Sequence, residues 1–137
     1  MCGIAGFIDF KKQSTEENIK AMIHPMNHRG PDGDGTLLMN ANDAVIGYGH
    51  KRLSIIDLTE TGKQPMSYGD LHMTFNGEIY NYQEIKKELN GLGHTFIGES
   101  DTEMILHAYE EWGIHAVHKF IGMFAIVIFD VKKNEVN

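Results

Sequence analysis

The sequence predicts an α+β fold in which antiparallel sheets are covered by helices. Two apolar runs, residues 4–10 and 123–131, read as buried strands. Three capping-box pairs, Ser14/Glu17, Asn81/Glu84 and Ser100/Glu103, each precede apolar residues at helical spacing. Strands and helices are interspersed with no regular strand–helix–strand alternation, which argues against a parallel sheet.

Taken in order, the glycine-punctuated run 4–10 ties the start of the chain into a sheet. Behind Ser14/Glu17, the residues Ile19, Met22, Ile23 and Met26 define a helix with one buried face, ending near Pro25. The stretch "HRGPDGDG" reads as an irregular loop with positive-φ glycines. Residues 36–41 and 44–56 read as a hairpin around Asn42-Asp43. After a loop through "TETGKQPM", a short strand over 71–75 is expected to break at Asn76-Gly77, a dipeptide that favours tight turns. Asn81/Glu84 opens a helix that buries Ile85, Leu89 and Leu92 and stops at Gly93, and Ser100/Glu103 opens one that buries Met104, Ile105, Ala108 and Trp112. The final strand turns at Lys132-Lys133-Asn134, and its return strand is expected to be missing. An uncovered edge of that kind marks residues 1–137 as one domain forming the N-terminal portion of a longer protein.

At 137 residues, 42% apolar and 23% charged, the chain has the size and composition of one ordinary globular domain. No run approaches the roughly 20 apolar residues of a membrane helix, so no membrane partner is expected. Asp9, Lys11 and Lys12 interrupt the first apolar run before a secretory leader can form, and the expected compartment is the cytoplasm. A single cysteine makes no internal disulfide. A net charge of -7 with scattered lysines disfavours nucleic acid.

That one cysteine is Cys2. If Met1 is removed, thiol and α-amine share one residue, and an amine with an ordinary pKa near 7.7–8.0 can take the thiol's proton. Nucleophile and base then come from a single position held still by the first strand. A lone cysteine more often simply packs, so position alone does not decide between the two.

The surrounding motifs do. "MCGIAGF" at 1–7, "HRGPDG" at 28–33, "GHKRLSIIDL" at 49–58, "QPM" at 64–66, "FNGEIYNY" at 75–82, "SDTEMIL" at 100–106 and "GMFAIVIFD" at 122–130 occur in this order. The ordered set, spanning essentially the whole chain, resembles the glutaminase domain of glutamine-hydrolysing asparagine synthetases, which are class II glutamine amidotransferases. The resemblance implies an N-terminal-nucleophile hydrolase fold, an αββα sandwich. The segment that usually follows the last strand is absent, so the fold is expected to be truncated at its C-terminal end, leaving the activity of the isolated fragment open.

Hydrolysis of the glutamine amide needs a nucleophile, a proton acceptor, oxyanion donors and groups for the amino-acid end. By the resemblance, Cys2 supplies the first two. The Asn76 amide and the Gly77 N–H form the oxyanion hole. Arg52 forks onto the α-carboxylate, a planar bidentate task that Lys51 cannot copy. Asp101, with Glu78, holds the α-ammonium, although a carboxylate there also favours a helix N-terminus. Leu53 and Ile55, within "LSII", lend backbone to the pocket wall, and Arg29 braces the site.

The implied partners are glutamine and a C-terminal synthetase domain of the same chain that consumes the ammonia. No cofactor is expected in this domain; ATP and magnesium belong to the synthetase domain. Assembly, a homodimer included, stays open. So do two other readings: an amidotransferase serving another acceptor, such as an amino sugar, and a silent interaction module. No metal is expected, because the ligand-like pairs His24/His28 and His115/His118 lack a third partner. "GPDGDG" and "TGKQ" lack the pattern of a phosphate loop. Met22, Met26, Met104 and Met123 read as core filler.

Overall fold

Strand β1 (Gly3–Asp9) starts one residue after the cysteine. In the computed structural model, which describes residues 2–53 and 62–137, β1 pairs antiparallel with β3 (Val45–Arg52), and β3 pairs antiparallel with β2 (Gly33–Asn40). This first sheet has the order β1-β3-β2. The β2–β3 hairpin closes around Asn42-Asp43 through the Ala41 N–H donating to the Ala44 carbonyl at 2.8 Å. The second sheet, in order, holds β4 (Met66–Tyr68), β5 (Leu71–Ile79), β6 (Gly122–Asp130) and β7 (Glu135–Val136). Helix α1 (Glu16–Ile23) covers the first sheet. Helices α2 (Tyr82–Gly91) and α3 (Asp101–Trp112) cover the second.

Alternation along the strands assigns the layers. On β3, Ile46 and Tyr48 pack with Phe129 and Val127 of β6, which buries one face of the first sheet against the second. The opposite face carries Gly47 and Gly49, and a methyl at either position would lie within 3 Å of Ile19, which with Ile23 is the buried pair of α1. On β5, Met73, Phe75 and Ile79 join Ile85, Leu89, Met104 and Ile105 in the helix-side core. The architecture is the αββα sandwich with antiparallel sheets. Among the described residues, no helix is long and apolar enough to cross a membrane.

Several local expectations are corrected. The Asn76-Gly77 dipeptide is not a turn: β5 runs straight through it, paired with Ala125 and Phe124 of β6. Gly77 is needed instead for its φ of 149° and for close approach, since a Cβ there would sit 2.1 Å from the Met123 carbonyl oxygen. The glycines of the 28–35 loop have no positive φ; Gly30 and Gly35 let the chain press against Lys51 and Gln64 backbone, and β2 already begins at Gly33. The first capping box lies one residue later than Ser14/Glu17: the Asp9 carboxylate takes the Ser14 N–H, and Asn18 accepts the Thr15 N–H at 2.7 Å. Asn81 does not cap α2 with its side chain, which instead bonds the Lys119 carbonyl and the Ile121 N–H at the entry to β6.

Ser100 does accept the Glu103 N–H at 3.4 Å, while the Glu103 carboxylate turns to the N–H groups of Ile97 and Gly98. Met104 is core, but Met22 and Met123 are exposed, as is Leu92 beyond the last turn of α2. The return strand expected to be missing is present as β7, pairing Phe129 with Val136. Strand β4 is too short for alternation to reveal. Of the strand expected over 44–56, residues 54–56 lie outside the described residues.

Candidate active site

The N-terminal strand brings its cysteine to the far end of β3, because Gly3 pairs with Lys51. One step further, the Leu53 N–H donates to Cys2 Sγ at 3.4 Å, and the Sγ lies 3.8 Å from the Leu53 carbonyl. Arg29 donates from Nε to the Cys2 carbonyl at 3.3 Å, the bracing contact its motif suggested. Cys2 is half-buried and free. The loop carrying Arg29 is itself docked on β3 by the Asp32 N–H, which donates to the Arg52 carbonyl at 3.0 Å.

Arg52 shares a face of β3 with His50. His50 is 2% exposed, and its ring lies toward the Phe75 backbone of β5. Burial, reinforced by the Arg52 charge and opposed by the Phe75 carbonyl, lowers its pKa from 6.5 to about 4, so the ring is neutral. His50 thus links the sheet that holds Cys2 to the strand that holds Asn76 and Gly77. It lies within the motif quoted at 49–58, which gave it no role.

The edge of β5 opposite β6 is set by register. Tyr80 donates to the Ile121 carbonyl and Val131 to the Asp70 carbonyl, so even-numbered residues of this segment bond β6 and the odd ones turn their main-chain groups outward. Two of those outward N–H groups are taken by side chains: Phe75 donates to Gln64 Oε1, and Ile79 donates to Asp101 Oδ2 at 3.1 Å. The Gly77 N–H lies between them, and among the described residues no acceptor is set against it. Side chains at even positions of β5 face the first sheet, since Thr74 pairs with Val127, which packs against β3. Asn76 shares that face.

Asp101 heads α3, and burial pushes its carboxyl above the usual carboxylate range, with the N–H groups of Ile79 and Thr102 opposing and the Glu78 charge adding. Of the sequence-predicted residues, Cys2 and Leu53 are in contact, Arg52 adjoins them, Asn76, Gly77 and Glu78 line one stretch of β5, and Asp101 closes its end. Ile55 lies outside the described residues. Gln64 was quoted within a motif but given no role; its hydrogen bond to β5 shows only in the fold.

A free, half-buried cysteine just before the first strand of an αββα sandwich with antiparallel sheets is the arrangement of the N-terminal-nucleophile hydrolase fold. The chain belongs to the glutamine amidotransferase domain family, whose model matches residues 1–137. It is 42% identical to a putative glutamine-hydrolysing asparagine synthetase 2 of Methanocaldococcus jannaschii, covering 97% of this chain and 28% of that protein. It is 43% identical to glutamine-hydrolysing asparagine synthetase 1 of Bacillus subtilis, covering 95% and 21%. Among solved structures, the allosteric regulatory enzyme of purine biosynthesis superposes with a TM-score of 0.72 at 18% identity, over 93% of this chain and 35% of that one. Within the family, the chain therefore corresponds to the glutaminase domain of asparagine synthetase, and it spans about a quarter of the length of those relatives.

Proposed function

We propose that this domain hydrolyses the side-chain amide of glutamine to glutamate and ammonia through a thioester on Cys2. The observation that most supports the reading is the seating of the sulfur: the Leu53 N–H donates to Cys2 Sγ at 3.4 Å, which holds the nucleophile in place at the end of β3. With Met1 removed, the Cys2 amine takes the thiol proton and the sulfur attacks the amide carbon. The Asn76 amide and the outward Gly77 N–H receive the oxyanion. The C–N bond breaks as the proton passes to the leaving nitrogen, and ammonia departs. Water then attacks the thioester, releasing glutamate and restoring the thiol. Arg52 holds the substrate α-carboxylate, Asp101 and Glu78 its α-ammonium, and the backbone of Leu53 and Ile55 the pocket wall. None of these steps uses a cofactor.

In the longer protein, the ammonia passes to a synthetase domain, as the names of the relatives, glutamine-hydrolysing asparagine synthetases, suggest; that domain would activate aspartate with ATP and magnesium. The test is Cys2→Ala in that longer protein. Glutamine hydrolysis is expected to vanish while ammonia-dependent synthesis persists; hydrolysis that survives removes Cys2 from its role. Mass spectrometry of the active protein is expected to show Met1 absent, and a retained Met1 excludes the amine as base.

A further inference from the structure

On the far side of the second sheet, away from Cys2, two histidines from different elements meet. His94 follows α2, and His107 lies in the middle of α3. Their Nδ1 atoms are 2.9 Å apart. His94 Nε2 lies 2.9 Å from Glu111 Oε2, so the carboxylate fixes the His94 proton on that nitrogen and leaves a lone pair on Nδ1, aimed at His107. One helical turn beyond His107, Glu110 places Oε2 3.8 Å from His94 Nδ1. One ligand atom each from His94, His107 and Glu110 falls within 4.8 Å of the others.

We propose that His94, His107 and Glu110 form a site for a divalent transition cation of the zinc class, with Glu111 orienting His94. The donor set suits such an ion: two imidazole nitrogens and one carboxylate oxygen, with the fourth position left for water. On a tetrahedral ion with bonds of about 2.0–2.1 Å, ligand atoms stand roughly 3.4 Å apart, so the two nitrogens need separate by only about half an ångström. The His107 ring is held for this task. It is 2% exposed and lies between Tyr68, with centroids 4.2 Å apart, and Phe96, at 4.5 Å. Glu103 stands 3.8 Å from His107 Nε2. Glu110 is about half exposed, which gives the ion a way in from solvent. A bound cation clips the segment after α2 to α3 and, through Tyr68, to β4. The site is independent of the glutaminase chemistry. Histidine spacing alone did not find it, because the partners are 13 positions apart and only the packing of α2 on α3 brings them together.

The test is calorimetric titration of zinc into chelator-treated, untagged protein, repeated in Cys2→Ala to remove the one thiol. One zinc per chain is expected in both, with a rise in the unfolding midpoint. His107 is buried and its replacement risks the fold, so His94→Gln and Glu110→Gln serve as variants. Each is expected to weaken zinc binding at least tenfold, and Glu110→Gln to leave glutamine hydrolysis unchanged. If zinc fails to bind, the two imidazoles share only a proton and the proposal is overturned. Equal zinc binding in wild type and both variants places the ion elsewhere and overturns it too. Loss of glutamine hydrolysis in Cys2→Ala bears on the proposed function alone.

Discussion

The Leu53 N–H on the Cys2 sulfur and the Gly77 N–H between Gln64 and Asp101 are main-chain donors, aimed by strand register rather than by side-chain identity. Asn76 differs, because its proposed donor is a side chain that strengthens its bond only as charge develops on the substrate oxygen. Asn76→Ala is therefore expected to lower kcat for glutamine hydrolysis by about 10²–10³ while KM and the unfolding midpoint stay close to wild type. Steady-state kinetics beside thermal unfolding checks this; a rise in KM with kcat intact assigns Asn76 to ground-state binding instead. The motifs made the site residues legible as residue types. They gave no role to His50 or Gln64, whose approach to Phe75 joins segments 25 and 11 positions apart by the numbering.

At the scale of elements, α1 lies on a track cut by two glycines. A Cβ on Gly49 would stand 2.4 Å from Ile23 and 2.8 Å from Ile19, and one on Gly47 would stand 2.1 Å from Ile19. Overfilling a packed interface of this kind costs about 1–3 kcal/mol. Gly49→Ala is expected to destabilise the fold by that amount in urea unfolding. Gly91→Ala, in the last turn of α2 with nothing within 4 Å of the new methyl, is expected to be neutral or to stabilise by up to about 1 kcal/mol. Equal effects at both sites would mean that α1 does not rest on β3 as described. The helical period of Ile19 and Ile23 was readable, because burial of one face imposes it. The cap register was not: whether Ser14 or Thr15 starts α1 depends on Asp9, whose carboxylate takes the N–H groups of Lys11, Gln13 and Ser14.

For the molecule as a whole, the buried His50 couples folding to pH. Its folded pKa of about 4 lies below the unfolded value of 6.5, so the unfolded chain binds more protons between those limits. The stability from keeping the ring neutral is complete above pH 6.5 and is lost as pH falls toward 4, an effect on the order of 3 kcal/mol. Denaturant unfolding from pH 7 to 4 is expected to show a steeper loss in wild type than in His50→Gln; parallel curves would mean that His50 takes up its proton without unfolding.

The sequence alone determined the element types, the antiparallel α+β class and the set of polar residues gathered in ordered motifs. Periodicity and capping are local, and apolar faces announce themselves wherever they lie in the chain. Tertiary structure alone decided that Asn76-Gly77 continues a strand instead of turning, that the Cys2 sulfur meets Leu53, and that His94 meets His107. Each of those outcomes depends on pairing or packing between distant segments. A turn-forming dipeptide yields to a strand when Gly77 has the backbone of β6 against it, and no local preference records that neighbour.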